Sequence, residues 1–315
     1  MKRILSIIFI FLMLTGMISG CNRAYTKNSG DKISIVATIF APYDFAREIA
    51  GDKANVTMLL PPASESHSYE PTPQDIIAIQ NCNVFIYVGG ESDEWVDGVL
   101  DSMDTSKMKI VTLMDCVEVL EEEIVEGMEA EEEEGEEEEV AYDEHVWTSP
   151  RNAKLIVQKI SDTLCEVNPD NASIYKANTE SYLAKLDELD AKFQSVAFNA
   201  ARKVVVFGDR FPFRYLTDAY GLEYFAAFPG CSTETEPSAQ TIAFLINKIK
   251  DENIPVVFHI ELSNEKIANT ISESNGAKVL LLHACHNITK DDFQNGVSYL
   301  DLMNRNVDAL KEALQ

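Results

Sequence analysis

Short apolar runs at 33–39, 56–60 and 84–88 have the length and β-branched content of buried strands. Helical patterns separate them. Thr72-Pro73-Gln74-Asp75 opens one helix with an N-cap threonine, proline at the first helical position and an acid at the third, and Ser149-Pro150-Arg151 opens another in the same manner. From 169 to about 198 the residues Ile174, Tyr175, Tyr182, Leu186, Leu189 and Phe193 recur at helical spacing, which predicts one long helix. The strand pattern then restarts at 203–207, 255–260 and 278–282, with amphipathic helices between and a last helix over 299–314. Strands alternating with helices imply parallel sheets. The expected fold is α/β with two lobes, each a parallel sheet flanked by helices, at 33–168 and 200–315, joined by the backbone helix 169–199.

Two domains also agree with the length. Ahead of them, Met1-Lys2-Arg3 and the apolar run 4–17 form the charged and hydrophobic regions of an export signal. It closes on Ile18-Ser19-Gly20-Cys21, which resembles the bacterial lipobox, with cleavage before Cys21 and a diacylglyceryl group on its thiol. Residues 1–21 are read as a lipoprotein signal and 22–32 as a linker. The expected location is extracytoplasmic, anchored to the cell membrane by lipid. No later run reaches the 18 apolar residues of a membrane-spanning helix.

A formal charge of −26 argues against nucleic acid as a partner and suits cations. Fourteen glutamates fall between 118 and 139, and self-repulsion with little apolar content predicts a mobile acidic loop over 118–142. Its readings are solubility or weak collection of cations. Besides Cys21, five cysteines are scattered with no C-x-x-C pair for a thiolate zinc knuckle. If a disulfide forms, Cys231 with Cys285 is the favoured pair, since each follows a predicted strand in the second half.

The candidate chemistry lies with five histidines. His67 follows the strand ending at Leu60, and His283 directly follows the one ending at Leu282. Ligands of open α/β sheets bind beyond the carboxyl ends of strands. His145 stands on a loop four residues before the N-cap Ser149, while His259 lies inside a strand and is read as structural. One histidine alone is usually a packing or surface residue, but imidazoles converging from separate loops on a cleft make a site for zinc, copper or iron.

Three segments carry a family resemblance: Ser66-His67-Ser68-Tyr69-Glu70-Pro71-Thr72-Pro73, Asp143-Glu144-His145-Val146-Trp147-Thr148-Ser149-Pro150, and Tyr299-Leu300-Asp301-Leu302-Met303 with Asn306. In this order, with a charged low-complexity loop between the first two, the chain resembles the solute-binding proteins of zinc and manganese ABC importers over essentially its whole mature length. The resemblance implies a metal held between two lobes, with His67 and His145 as the first two ligands. Where the family has its third ligand this chain has Phe207-Gly208-Asp209-Arg210, so Asp209 is a candidate only. The family's usual aspartate after the last strand matches His283, with His286 as an alternative. Glu261, just past another strand, is a candidate to approach the metal or to support a ligand imidazole.

An imidazole-rich set favours Zn2+ over the alternative Mn2+, which prefers oxygen donors. The expected function is capture of zinc and delivery to an ABC importer, with its permease and ATPase as partners and the binding protein a monomer. The alternatives are a manganese-specific importer protein, a metal-dependent adhesin and a zinc hydrolase. Against the last, no His-Glu-x-x-His pair or nucleophile elbow is present.

Overall fold

The computed structural model describes residues 32–65, 69–129, 141–232 and 236–315. The expected export signal, Cys21, most of the linker 22–32, His67 and the centre of the acidic segment lie outside the described residues.

The chain alternates strand and helix as the apolar pattern predicts. The first half runs β1 (Ile33–Ala37), α1 (Phe40–Ala50), β2 (Ala54–Met58), α2 (Pro73–Asn81), β3 (Val84–Tyr87), α3 (Glu94–Asp101), β4 (Lys109–Thr112) and α4 (Pro150–Val167). After α5 (Ala172–Phe198) come β5 (Val204–Phe211), α6 (Arg214–Tyr220), β6 (Glu223–Pro229), α7 (Ala239–Glu252), β7 (Val256–His259), α8 (Lys266–Asn275), β8 (Lys278–Leu281), α9 (Lys290–Gln294) and α10 (Tyr299–Leu314). Two four-stranded sheets result, ordered β2-β1-β3-β4 and β6-β5-β7-β8, with every pairing parallel. The second order repeats the first, so the carboxyl ends of the strands in each half present loops along one edge of their sheet.

The long helix is present, preceded by a separate 3-10 turn, Pro169–Asn171, where the sequence predicts continuous helix. Its buried residues Tyr175, Thr179, Tyr182, Leu186, Leu189 and Phe193 step by three or four, forming one stripe. That stripe lies in a single core that also takes side chains from both sheets, and the helix packs on α1, α4 and α10. At 1.5 Å per residue it is about 40 Å long, enough to brace both halves.

Thr72 caps α2 as its sequence predicts: its hydroxyl accepts from the Asp75 N–H, and Asp75 Oδ2 accepts from the Thr72 N–H at 2.8 Å. Pro150 begins α4, but the Ser149 side chain makes no cap hydrogen bond.

Two strands escaped the sequence reading. β4 is a short edge strand with Lys109 and Ile110 exposed, and β6 carries Ala226 and Ala227, residues of low strand propensity whose burial against β5 outweighs that preference.

The acidic segment corrects a second expectation. Its stem, up to Glu129, is docked on the second half rather than mobile. Met128 is buried, Leu120 and Val125 pack on the core, and Glu129 N–H donates to Ala227 O at 2.9 Å. The glutamates themselves hold the stem: Glu122 Oε1 accepts from Gly230 N–H, Glu123 from the Tyr224 hydroxyl, and Glu129 Oε2 from Ser238 N–H and Thr241 Oγ1. Charge repulsion within the run is offset here because each of these carboxylates meets a donor of the second sheet or of α7.

Candidate metal centre

The loop between the 3-10 turn Val146–Thr148 and the acidic segment presents His145, which is fully buried. Asp143 Oδ1 stands 3.1 Å from His145 Nδ1 and also accepts the His145 backbone N–H at 2.8 Å. A ring that donates Nδ1–H to this carboxylate keeps Nε2 as its lone-pair nitrogen. Burial alone would depress the His145 pKa, but the carboxylates of Asp143, Glu144 and Glu122 outweigh it and the net shift is upward. A side chain at position 230 would strike this imidazole. A Cβ on Gly230 would lie 2.9 Å from His145 Cε1, so the β6 end approaches the ring with backbone only.

The partner of His145 is His286. Their rings are 4.6 Å apart and perpendicular, and the Trp147 indole packs edge-on against His286 at 4.8 Å. Trp147 also ties the two loops directly, donating Nε1–H to Ala284 O at 2.7 Å. The two imidazoles therefore come from positions 141 residues apart in sequence and meet between the sheets.

His283 takes a different place. Its Nδ1 accepts the Cys285 N–H at 3.0 Å, its backbone is bracketed by Asn306 at both N–H and C=O, and the charges facing it are Glu261, Asp292 and Arg305. Burial pulls its pKa down, which keeps the imidazole neutral. The structure thus brings His286, not His283, against His145, because the turn that follows β8 points residue 283 toward α10 and residue 286 back toward Trp147.

Asp209 sits at an irregularity of β5, and its carboxylate accepts the N–H groups of Arg210 and Ile260. Glu261 is nearly buried and spends both oxygens on backbone donors, Ala284 N–H at 2.6 Å and His286 N–H at 3.0 Å. His259 is bonded through Nδ1 to Ile260 O and fills a structural place.

His67 lies outside the described residues, yet both flanks of its loop are fixed at this centre. Asn287, adjacent to His286, donates its amide to Pro61 O and Ser64 O, and Arg210 forms a two-pronged ion pair with Glu65. On the other side Tyr69 lines a small pocket together with His286, Glu144, Trp147 and Leu60.

The same pocket holds polar residues that sequence reasoning missed. Glu144 is buried and accepts from the Ser92 hydroxyl and, at 3.2 Å, from the Cys231 thiol. Asp93, beside it, accepts the Val88 N–H, and burial with the Glu144 charge pushes its pKa up to about 7. Only Glu144, next to His145, carried a signal in the sequence. The Cys231–Cys285 disulfide is not formed: both thiols are free, Cys231 facing Glu144 while Cys285 lies within the buried turn with Sγ toward His283 O. Among the described residues no three His, Cys, Asp or Glu side chains converge closely enough to hold a metal.

Residues 35–313 match the ZnuA family model, described as zinc-uptake complex component A, periplasmic. The high-affinity zinc uptake system protein ZnuA of Bacillus subtilis (strain 168) is 33% identical over 98% of this chain and 97% of its own length. The zinc-binding lipoprotein AdcA of Streptococcus pneumoniae (strain ATCC BAA-255 / R6) is 33% identical over 91% of this chain, which spans 56% of that longer protein. The crystal structure of the Zn(II)-bound ZnuA-like domain of Streptococcus pneumoniae AdcA superposes with a TM-score of 0.75 at 31% identity, covering 90% of this chain and 99% of that one. With a family match over residues 35–313 and two parallel sheets braced by one helix, this chain belongs to the ZnuA family of periplasmic zinc-uptake components.

Proposed function

We propose that the protein captures Zn2+ between its two halves, with His145 and His286 as ligands and His67 completing the imidazole set, and delivers it to an ABC importer. The observation that carries this reading is the perpendicular packing of His145 and His286 at 4.6 Å, two buried imidazoles from distant loops. Nitrogen donors favour zinc over manganese. The fixed flanks of the His67 loop support its arrival at the same ion, and Asp209 is a reserve carboxylate donor rather than a necessary one. The two lobes, 33–168 and 200–315, act as jaws braced by the helix between them. Lipid on Cys21 tethers the loaded protein to the membrane beside the importer permease and its ATPase, and the binding protein works as a monomer.

The test is metal analysis of the protein lacking its first 21 residues, with competitive titration of zinc against manganese. One zinc per chain, retained against manganese and lost from His145→Ala and His286→Ala, is the expected result. Preference for manganese, or full zinc affinity in both variants, overturns it. Affinity should fall as the pH drops through the histidine range, beginning above the ordinary imidazole value because the carboxylates around His145 raise its pKa, since imidazolium cannot coordinate. Mass analysis of the membrane-extracted protein tests the lipid: a chain without a diacylglyceryl group at Cys21 refutes the anchor.

A further inference from the structure

The turn that carries His286 has an unusual backbone. Cys285 occupies the left-handed region at φ 61°, a conformation disfavoured for a residue with a Cβ and sustained only where surrounding groups over-determine it. What over-determines it is a set of bonds from outside the turn. The three successive N–H groups of Ala284, Cys285 and His286 point inward, and two of them end on the same carboxylate, Glu261 Oε2 at 2.6 Å and Oε1 at 3.0 Å, while His283 Nδ1 takes the middle one. The carbonyls are held in turn by the Trp147 indole on Ala284 and by the Phe40 N–H on His286 at 2.8 Å.

Glu261 is buried at the end of β7, and a carboxylate that receives one N–H on each oxygen is fixed in position and orientation. It stands 3.6 Å from His283 Nδ1, beyond hydrogen-bond reach of that ring. Its structural partners are therefore main-chain groups on either side of Cys285, and it acts on the imidazole of residue 286 through them.

We infer that Glu261 is the positioning residue of the zinc centre: it is not a ligand but holds the 284–286 backbone in the one conformation that turns the His286 ring onto His145. The inference rests on the reading of His286 as a ligand. A glutamine at 261 keeps the volume but presents an amide NH2 to one of the two N–H groups, leaving a buried donor unsatisfied and freeing the turn. Groups that orient metal ligands from outside the coordination sphere typically change metal affinity tenfold to a hundredfold when replaced.

The experiment is a double-mutant cycle on zinc affinity, read by competition with a chromophoric chelator, for wild type, Glu261→Gln, His286→Ala and the double variant. Glu261→Gln should weaken zinc on the order of tenfold to a hundredfold in the wild-type background and have little effect in the His286→Ala background. An equal loss in both backgrounds overturns the inference, since Glu261 would then act independently of His286. Full affinity in Glu261→Gln with a weakened His286→Ala also overturns it while leaving the ligand reading intact. Unchanged affinity in His286→Ala removes the ligand reading and the inference together. Should Glu261→Gln fail to fold, amide hydrogen exchange at 284 and 286 in the wild-type protein decides: both should be protected before and after zinc is added. Loss of protection on loading would mean the carboxylate leaves the backbone for the ion, and the inference would fall.

Discussion

The two loops that present the paired histidines are held in opposite ways. The His145 loop is organised largely by its own residues: Asp143 accepts both the ring and the backbone N–H of His145, Val146 N–H returns to Glu144 O, and Thr148 bonds His145 O through its N–H and its hydroxyl. Two tyrosines from elsewhere, Tyr215 on Asp143 O and Tyr299 on Trp147 O, fasten the finished loop to the second half. The His286 loop has little beyond the Cys285 N–H on His283 Nδ1 and the Ile288 N–H on Asn287 Oδ1 for internal order. Its groups are taken by Glu261, Asn306, Trp147 and Phe40, each distant in sequence. A self-organised loop can carry a ligand that is oriented before the fold closes, whereas the other acquires its geometry only when four separate elements have assembled around it.

The largest effect should come from removing the group common to both loops. Trp147 is fully buried, packs on His286 and bonds the opposite loop at Ala284. Trp147→Ala should lower the unfolding free energy of the zinc-free protein by about 3–5 kcal/mol and abolish stoichiometric zinc binding, read by denaturant melts and metal titration. If zinc still binds with full affinity, the loops are independent and the comparison breaks.

Next in size is a pH effect on the support of the His145 loop. Asp44 Oδ2 accepts the Tyr299 N–H at 2.8 Å, and Tyr299 in turn bonds Trp147 O, so a carboxyl of α1 underlies the loop through α10. Burial outweighs the Arg47 ion pair and pushes the Asp44 pKa up to about 6 from 3.8. A folded pKa above the unfolded one means that the group's stabilising contribution is complete below about pH 4 and is lost as the pH rises through about 6. The change is on the order of 3 kcal/mol. Thermal melts of the zinc-free protein across this window should show the decline, and Asp44→Asn should flatten it; an unchanged slope in the variant would place the titration elsewhere.

The smallest effect sharpens the contrast between the loops. Asp143→Asn keeps a hydrogen-bonding group of the same size beside His145 but removes the charge that fixes its tautomer, and should weaken zinc about tenfold to a hundredfold. Because the loop's other internal bonds remain, stability without zinc should change by no more than about 1.5 kcal/mol. A large loss of stability with unchanged zinc affinity would show that Asp143 serves the fold and not the ligand.

Legibility in the sequence follows this difference. The strands β1, β2 and β3, the α2 cap and the long helix were readable because period and capping chemistry act over a few residues, whereas the exposed edge strand β4 was not. The α5 stripe from Tyr175 to Phe193 is the plainest case. His145 was singled out by its loop before Ser149 and by the resemblance of the 143–150 segment, and the structure places Asp143 and Trp147 against its ring. β6 was not readable, since buried alanines carry no strand signal, and the acidic stem was misread because its acceptors find their donors only on β6 and α7. The sequence favoured His283 over His286, and the ring beside His145 is His286: three residues apart, each follows a strand end, and nothing local says which one faces the other loop.

The sequence by itself determined an alternating α/β chain with two sheets, a bracing helix and a histidine loop built from its own neighbours. The tertiary structure alone decided that His286 is the partner of His145, that Glu261 grips main chain, and that Glu122, Glu123 and Glu129 of the acidic run are anchored. Periodicity and capping are written in residues that touch along the chain. A left-handed turn, a buried carboxylate and a perpendicular ring pair depend on donors and acceptors brought together only by packing, and no spacing along the chain encodes them.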